Sequence, residues 1–146
     1  MLYISDTEIE MLFSKFADLT LPKPDWTHRA HFAAAAWLIT DRLRDAQREM
    51  PSMIRAYNTA CGVPNSDTDG YHETITLASI RLLQAFLDQY ASDTPLFEKV
   101  NAVMASALGR PNWPLAFWSE AVLFSAQARR VWVEPNLRPL ELMTLI

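Results

Sequence analysis

Ile9, Leu12, Phe13, Phe16 and Leu19 recur at helical spacing and predict one apolar stripe on a first helix. Ser5 and Glu8 form an S-x-x-E capping box ahead of it. Leu21-Pro22-Lys23-Pro24 closes it, because proline has no N–H for an interior helical bond. A second helix starts near Asp25 or Thr27, either of which can cap it, and runs through Phe32, the alanines 33–36 and Trp37 to about Thr40. Its small-residue face lets neighbouring helices approach closely, so it should be central. Leu43, Ala46, Met50, Ile54, Tyr57 and Cys61 keep a helical period over Asp41 to Cys61. Pro51 should kink this region or restart it, and Gly62 should stop it.

Val63 to Gly70 is a loop by composition. A fourth helix is expected over roughly Glu73 to Tyr90, with Ile80, Leu83, Leu87 and Tyr90 on one face. A fifth opens at Asp93-Thr94-Pro95 and closes at Gly109, with Leu96, Val100, Val103 and Leu108 as its stripe. Beyond Arg110, prolines 111, 114, 135 and 139 cut the tail into short pieces, with one or two short helices between Ser119 and Val131. The tail is too apolar for disorder and should wrap the bundle. Strand-like alternation is missing. These patterns predict an all-α fold: one helical domain over residues 1–146, a bundle of about five main helices with an irregular C-terminal wrap.

Half of the chain is hydrophobic, enough to build a core without disulfides, and the one cysteine, Cys61, has no internal partner. The formal net charge is −4 with no basic run, which argues against nucleic acid. No apolar run reaches the roughly 20 residues that span a bilayer, so no membrane association is expected. Acidic residues 6, 8 and 10 stand where a signal peptide would be basic and then apolar. The expected location is cytoplasmic.

All three histidines fall in two polar stretches, Trp26-Thr27-His28-Arg29-Ala30-His31 and Tyr71-His72-Glu73-Thr74. His28 and His31 are one turn apart on a helix face, a spacing that bundles use for metal sites as readily as for packing. Glu73 at a helix start is favourable for the macrodipole alone, whereas a cationic His72 there is not. Neutral imidazole at that end suits metal ligation or base chemistry. Together His28, His31, His72 and Glu73 are candidate catalytic residues, and the three histidines candidate ligands for a divalent metal, zinc or iron. Trp26, Arg55, Asn58, Tyr71 and Arg129 are candidate substrate-binding residues. There is no G-x-S-x-G elbow and no base paired with Cys61.

The stretches WTHRAHF, IRAYNTACG, GYHETIT and LFSAQARRVWVEPNLRPL resemble a family of small uncharacterised bacterial proteins. That family carries W-x-H-x-x-H, I-x-x-[YF]-N-x-x-x-G, Y-H-E-T-I-T and LFS-x-x-AR-x-x-W-x-x-P motifs. The resemblance covers roughly residues 26 to 140 in the same order. It implies no particular activity, but it singles out Trp26, His28, His31, Asn58, Tyr71, His72, Glu73, Thr74, Thr76, Ser125 and Arg129. The family pattern has aspartate after Pro135 where this chain has Asn136.

Three readings follow. One is an enzyme acting on a small polar molecule through a His/Glu site, with or without a metal. Another is a non-catalytic binding or sensing module using the same pocket. The last is a structural or interaction protein whose His and Glu form a buried network, with Trp113, Phe117 and Trp118 exposed as a homodimer surface.

Overall fold

The computed structural model describes residues 2–145. Seven α-helices and several 3-10 turns form an all-α bundle, with no strand among the described residues. The helices are α1 (Asp6–Ala17), α2 (His28–Thr40), α3 (Ala46–Ala60), α4 (Glu73–Leu87), α5 (Leu96–Ala105), α6 (Glu120–Leu123) and α7 (Ala126–Arg130). None is long and apolar enough to cross a membrane.

The α2 helix is the hub, packing against α1, α3, α4 and α5. Ala33, Ala34 and Ala36 have no exposed surface, so their missing side-chain volume is what admits the neighbours. Thr27 caps α2 through Ala30 N–H, and Ser5 caps α1 through Glu8 N–H, as the sequence predicts, although the return bond of the capping box, from Ser5 N–H to the Glu8 carboxylate, does not form among the described residues.

Several boundaries differ. The α1 helix stops at Ala17; Leu19 lies beyond it at φ 68° and 46 % exposed, outside the stripe. The α3 helix begins at Ala46, not Asp41. Asp45 caps Arg48 N–H while the Glu49 carboxylate accepts Asp45 N–H, and this reciprocal cap leaves Leu43 outside, 97 % exposed. Pro51 lies inside α3 without ending it; so near the N-terminus it removes only one early helical bond. The α4 helix ends at Leu87 rather than Tyr90, and α5 at Ala105. Gly109 belongs to a separate 3-10 turn, Ala107–Gly109. A Cβ there would come within 1.9 Å of the Met104 carbonyl oxygen, so only glycine fits.

The tail wraps the bundle. Trp118 donates to Val133 O at 2.9 Å, and Leu137 N–H to Phe117 O at 2.9 Å. Trp113, Phe117 and Trp118 are buried beneath this wrap, so they present no apolar surface to a second copy. Asn136 bridges Ser119, accepting its N–H at 3.0 Å and donating to its hydroxyl at 3.2 Å, so this junction is closed without a carboxylate.

Candidate functional site

Between α2, α3 and α4, closed at one end by Pro111 and Trp113, lies a cavity of about 340 Å³. Its walls are mostly apolar, with Phe32, Met50, Ile54 and Ile80 among them. The polar exceptions are His28, His31, Thr76 and Ser79. Ligand pockets have this make-up: a greasy lining and a few placed polar groups.

The first turn of α2 positions both histidines, and a backbone carbonyl fixes the tautomer of each. His28 Nε2 lies 2.8 Å from Leu108 O. A carbonyl can only accept, so Nε2 carries a proton, and in the neutral ring Nδ1 holds the lone pair. Gly109 permits the tight turn that presents this carbonyl. His31 reverses the arrangement: Nδ1 donates to Thr27 O at 2.7 Å, and Nε2 holds the lone pair. Neither lone pair has a protein hydrogen-bond partner among the described residues.

His31 is pressed against Trp26, with ring centroids 3.8 Å apart, and Trp26 stacks in turn on Phe16 at 4.3 Å. Burial pulls the His31 pKa from 6.5 down to about 4, outweighing the bond to Thr27; the neighbouring His28 lowers it further. The ring is therefore neutral at physiological pH. Trp26 does not line the cavity. It backs His31, and its indole N–H is buried without an acceptor among the described residues.

Thr76 and Ser79 complete the polar wall. The Ser79 hydroxyl donates to Ile75 O at 2.6 Å, so its proton is committed. The Thr76 hydroxyl lies beside the Tyr71 phenol, which donates a short hydrogen bond to Glu73. Burial and the Glu73 carboxylate push the Tyr71 pKa up, keeping it a donor. Sequence reasoning passes over Ser79 and Ile75, and it assigns Trp113 to a dimer surface rather than to the cavity wall. The signal for Ser79 is its place one turn before Leu83 on the apolar stripe of α4.

His72 does not join the other histidines. It is the N-cap of α4: Nδ1 accepts Ile75 N–H at 3.1 Å, and Nε2 donates to Leu123 O at 2.7 Å. Burial and nearby Arg129 lower its pKa against the pull of the Leu123 carbonyl. With both nitrogens spent, it has none for a metal or a proton in transit. Among the described residues no group of three or more His, Cys, Asp or Glu is placed to hold a metal ion. The three-histidine centre expected from the sequence does not form, because His72 turns toward the C-terminal wrap while His28 and His31 face the cavity.

The remaining candidates gather at a different place, around the loop joining α3 to α4. Asn58 donates to Asn65 Oδ1 at 3.0 Å, and the same oxygen accepts Tyr71 N–H at 3.1 Å. Asn65 Nδ2 donates to Arg55 O at 3.2 Å. Asn58 is thus a loop strut. Arg55 lies over the Tyr71 ring, 4.2 Å from its centroid, and 3.9 Å from Glu73. Arg129 Nη1 donates to Gly70 O at 3.1 Å and Tyr71 O at 3.4 Å. Thr74, fully buried, donates to Val131 O at 2.9 Å and accepts Val133 N–H at 3.1 Å; Ser125 caps α7 through Ala128 N–H. The Y-H-E-T-I-T block therefore divides: Tyr71, Glu73 and Thr76 face the polar network and cavity, while His72 and Thr74 hold the tail. No family model matches the chain, and neither a curated protein nor a solved structure matches it.

Proposed function

We propose that the cavity binds a small molecule with an apolar body and a hydroxyl or N–H group at one end, and that the chain is a binding or sensing module. The observation that carries this is the pair of lone-pair nitrogens, His28 Nδ1 and His31 Nε2, each fixed by a backbone carbonyl on the opposite ring atom. With the Ser79 proton committed to Ile75 O, two imidazole acceptors on a mostly apolar wall favour a ligand that donates, because an unsatisfied buried donor or acceptor costs about 1–3 kcal/mol. The polarity expected of the ligand then resides at one end only.

Base strength favours binding over turnover. A general base works best with a pKa near the operating pH, and His31 at about 4 is far below it. The Ser79 proton is committed to Ile75 O. Catalysis would have to run through His28, with no carboxylate bonded to its ring.

The test is a thermal-shift and NMR screen of matched pairs: phenols and primary amides against their O-methyl and N,N-dimethyl analogues. Donor-bearing compounds should raise the melting temperature, and the methylated partners should bind roughly tenfold more weakly. His31→Ala and the cavity-filling Ala35→Phe should each abolish the effect. Equal binding of both members of each pair, or binding that survives both substitutions, would overturn the reading. Turnover of a binder, lost in His28→Gln, would restore the enzyme reading.

A further inference from the structure

A second cleft, of about 260 Å³, opens beside the α3–α4 loop and is lined by Arg55, Asn65, Ser66, Asp67, Tyr71, Arg129 and Arg130. It is distinct from the apolar cavity; on α3, Ile54 lines the cavity and its neighbour Arg55 the cleft. Three guanidinium groups converge here. Arg130 is neutralised by Asp67 through two hydrogen bonds. Among the described residues Arg55 has only a distant ionic partner, Glu73 at 3.9 Å, and that carboxylate already accepts the Tyr71 hydroxyl. Arg129 forms no ion pair among the described residues. Its Nη1 is spent on two loop carbonyls, and its Nε is buried with no acceptor among the described residues.

A guanidinium held in place by the backbone, lacking a counter-charge and with donors unused, is suited to an oxyanion. The polar groups around it reinforce this. Both Asn65 amide atoms are committed to the loop, so the floor is rigid and adds no competing acceptor. Stacking on Tyr71 fixes the plane of the Arg55 guanidinium at the cleft wall. Counting the two carboxylates, Asp67 and Glu73, the cluster still carries one excess positive charge in a chain of net charge −4.

We propose that this cleft is a second ligand site, one that takes a carboxylate or phosphate group between Arg55 and Arg129. The site rests on arginine geometry alone and stands whatever occupies the apolar cavity.

The experiment is a titration of the full-length ¹⁵N-labelled chain with inorganic phosphate, and separately with acetate, at constant ionic strength. The readout is the Nε–H signals of the arginines. Binding should move the Arg129 and Arg55 signals along a saturable curve and leave exposed Arg138 unmoved. Arg55→Gln, at an exposed position that leaves the loop struts intact, should weaken binding roughly tenfold. Arg129→Lys keeps the charge but loses the fork, and should weaken it similarly. Saturation with phosphate alone assigns a phosphoryl ligand, and with acetate alone a carboxylate. A linear response shared by all arginines, or an affinity unchanged in both variants, overturns the proposal.

Discussion

The His31 ring is neutral because burial penalises its charged form more than the Thr27 carbonyl stabilises it. Trp26 covers its face, and the Thr27 carbonyl takes its only N–H. Its pKa of about 4, against an ordinary 6.5, makes stability pH-dependent with a definite sign. As pH falls from 6.5 toward 4, the unfolded chain binds a proton that the folded chain refuses, so stability declines across that window and levels off below it. Because the ring borders a cavity that water can enter, the expected loss is about 2 kcal/mol rather than the full shift. Urea midpoints at neutral pH and near pH 4 should show it, and His31→Gln should flatten most of the slope. A residual slope of the same sign belongs to His72, whose pKa is also lowered. An unchanged slope in the variant would mean that His31 is solvated in the native state. At this scale the sequence names His28 and His31 correctly as residues sharing a helix face. It does not disclose their tautomers, because the fixing carbonyl of His28 comes from Leu108, 80 positions away.

Two turns outside the regular helices decide where functional side chains point. Gly109 has no room for a Cβ against the Met104 carbonyl, so Gly109→Ala should cost about 3 kcal/mol. It should also displace Leu108 O and free the His28 ring. Chemical denaturation measures the first effect, and the His28 ring ¹⁵N shifts report the second as a mixture of tautomers. His72 caps α4 and ties it to Leu123. His72→Ala loses both contacts, and a drop of about 2–3 kcal/mol is expected. His72→Asn, which can still cap, should recover about 1 kcal/mol. Caps were the most legible elements: Ser5 and Thr27 are read from residue type and position alone. The start of α3 was not, since Leu43 keeps the apolar period while the Asp45–Glu49 cap excludes it. Periodicity measures what a face would be if helical; capping decides where the helix begins.

For the whole molecule, the all-α architecture and the wrapping tail follow from the stripes and the prolines, while the arrangement of polar residues does not. The candidate residues divide among a cavity, a separate cleft and the attachment of the tail, because the Y-H-E-T-I-T block points its side chains in different directions from the α4 N-terminus. A run of polar residues adjacent in sequence thus serves three neighbourhoods in space. The attachment of the tail to that same block has a kinetic consequence. The contacts from His72 to Leu123 and from Thr74 to Val131 and Val133 close chain separations of 51 to 59 residues. Packing of α1 on α2 closes much shorter loops and carries less closure entropy. The tail should therefore dock after the folding barrier is crossed. Thr74→Val should then speed unfolding several-fold and leave the refolding rate nearly unchanged in stopped-flow measurements. Refolding slowed in proportion would place the tail in the folding nucleus instead. During synthesis, the start of α4 is made well before the carbonyls that its His72 and Thr74 side chains are built to meet.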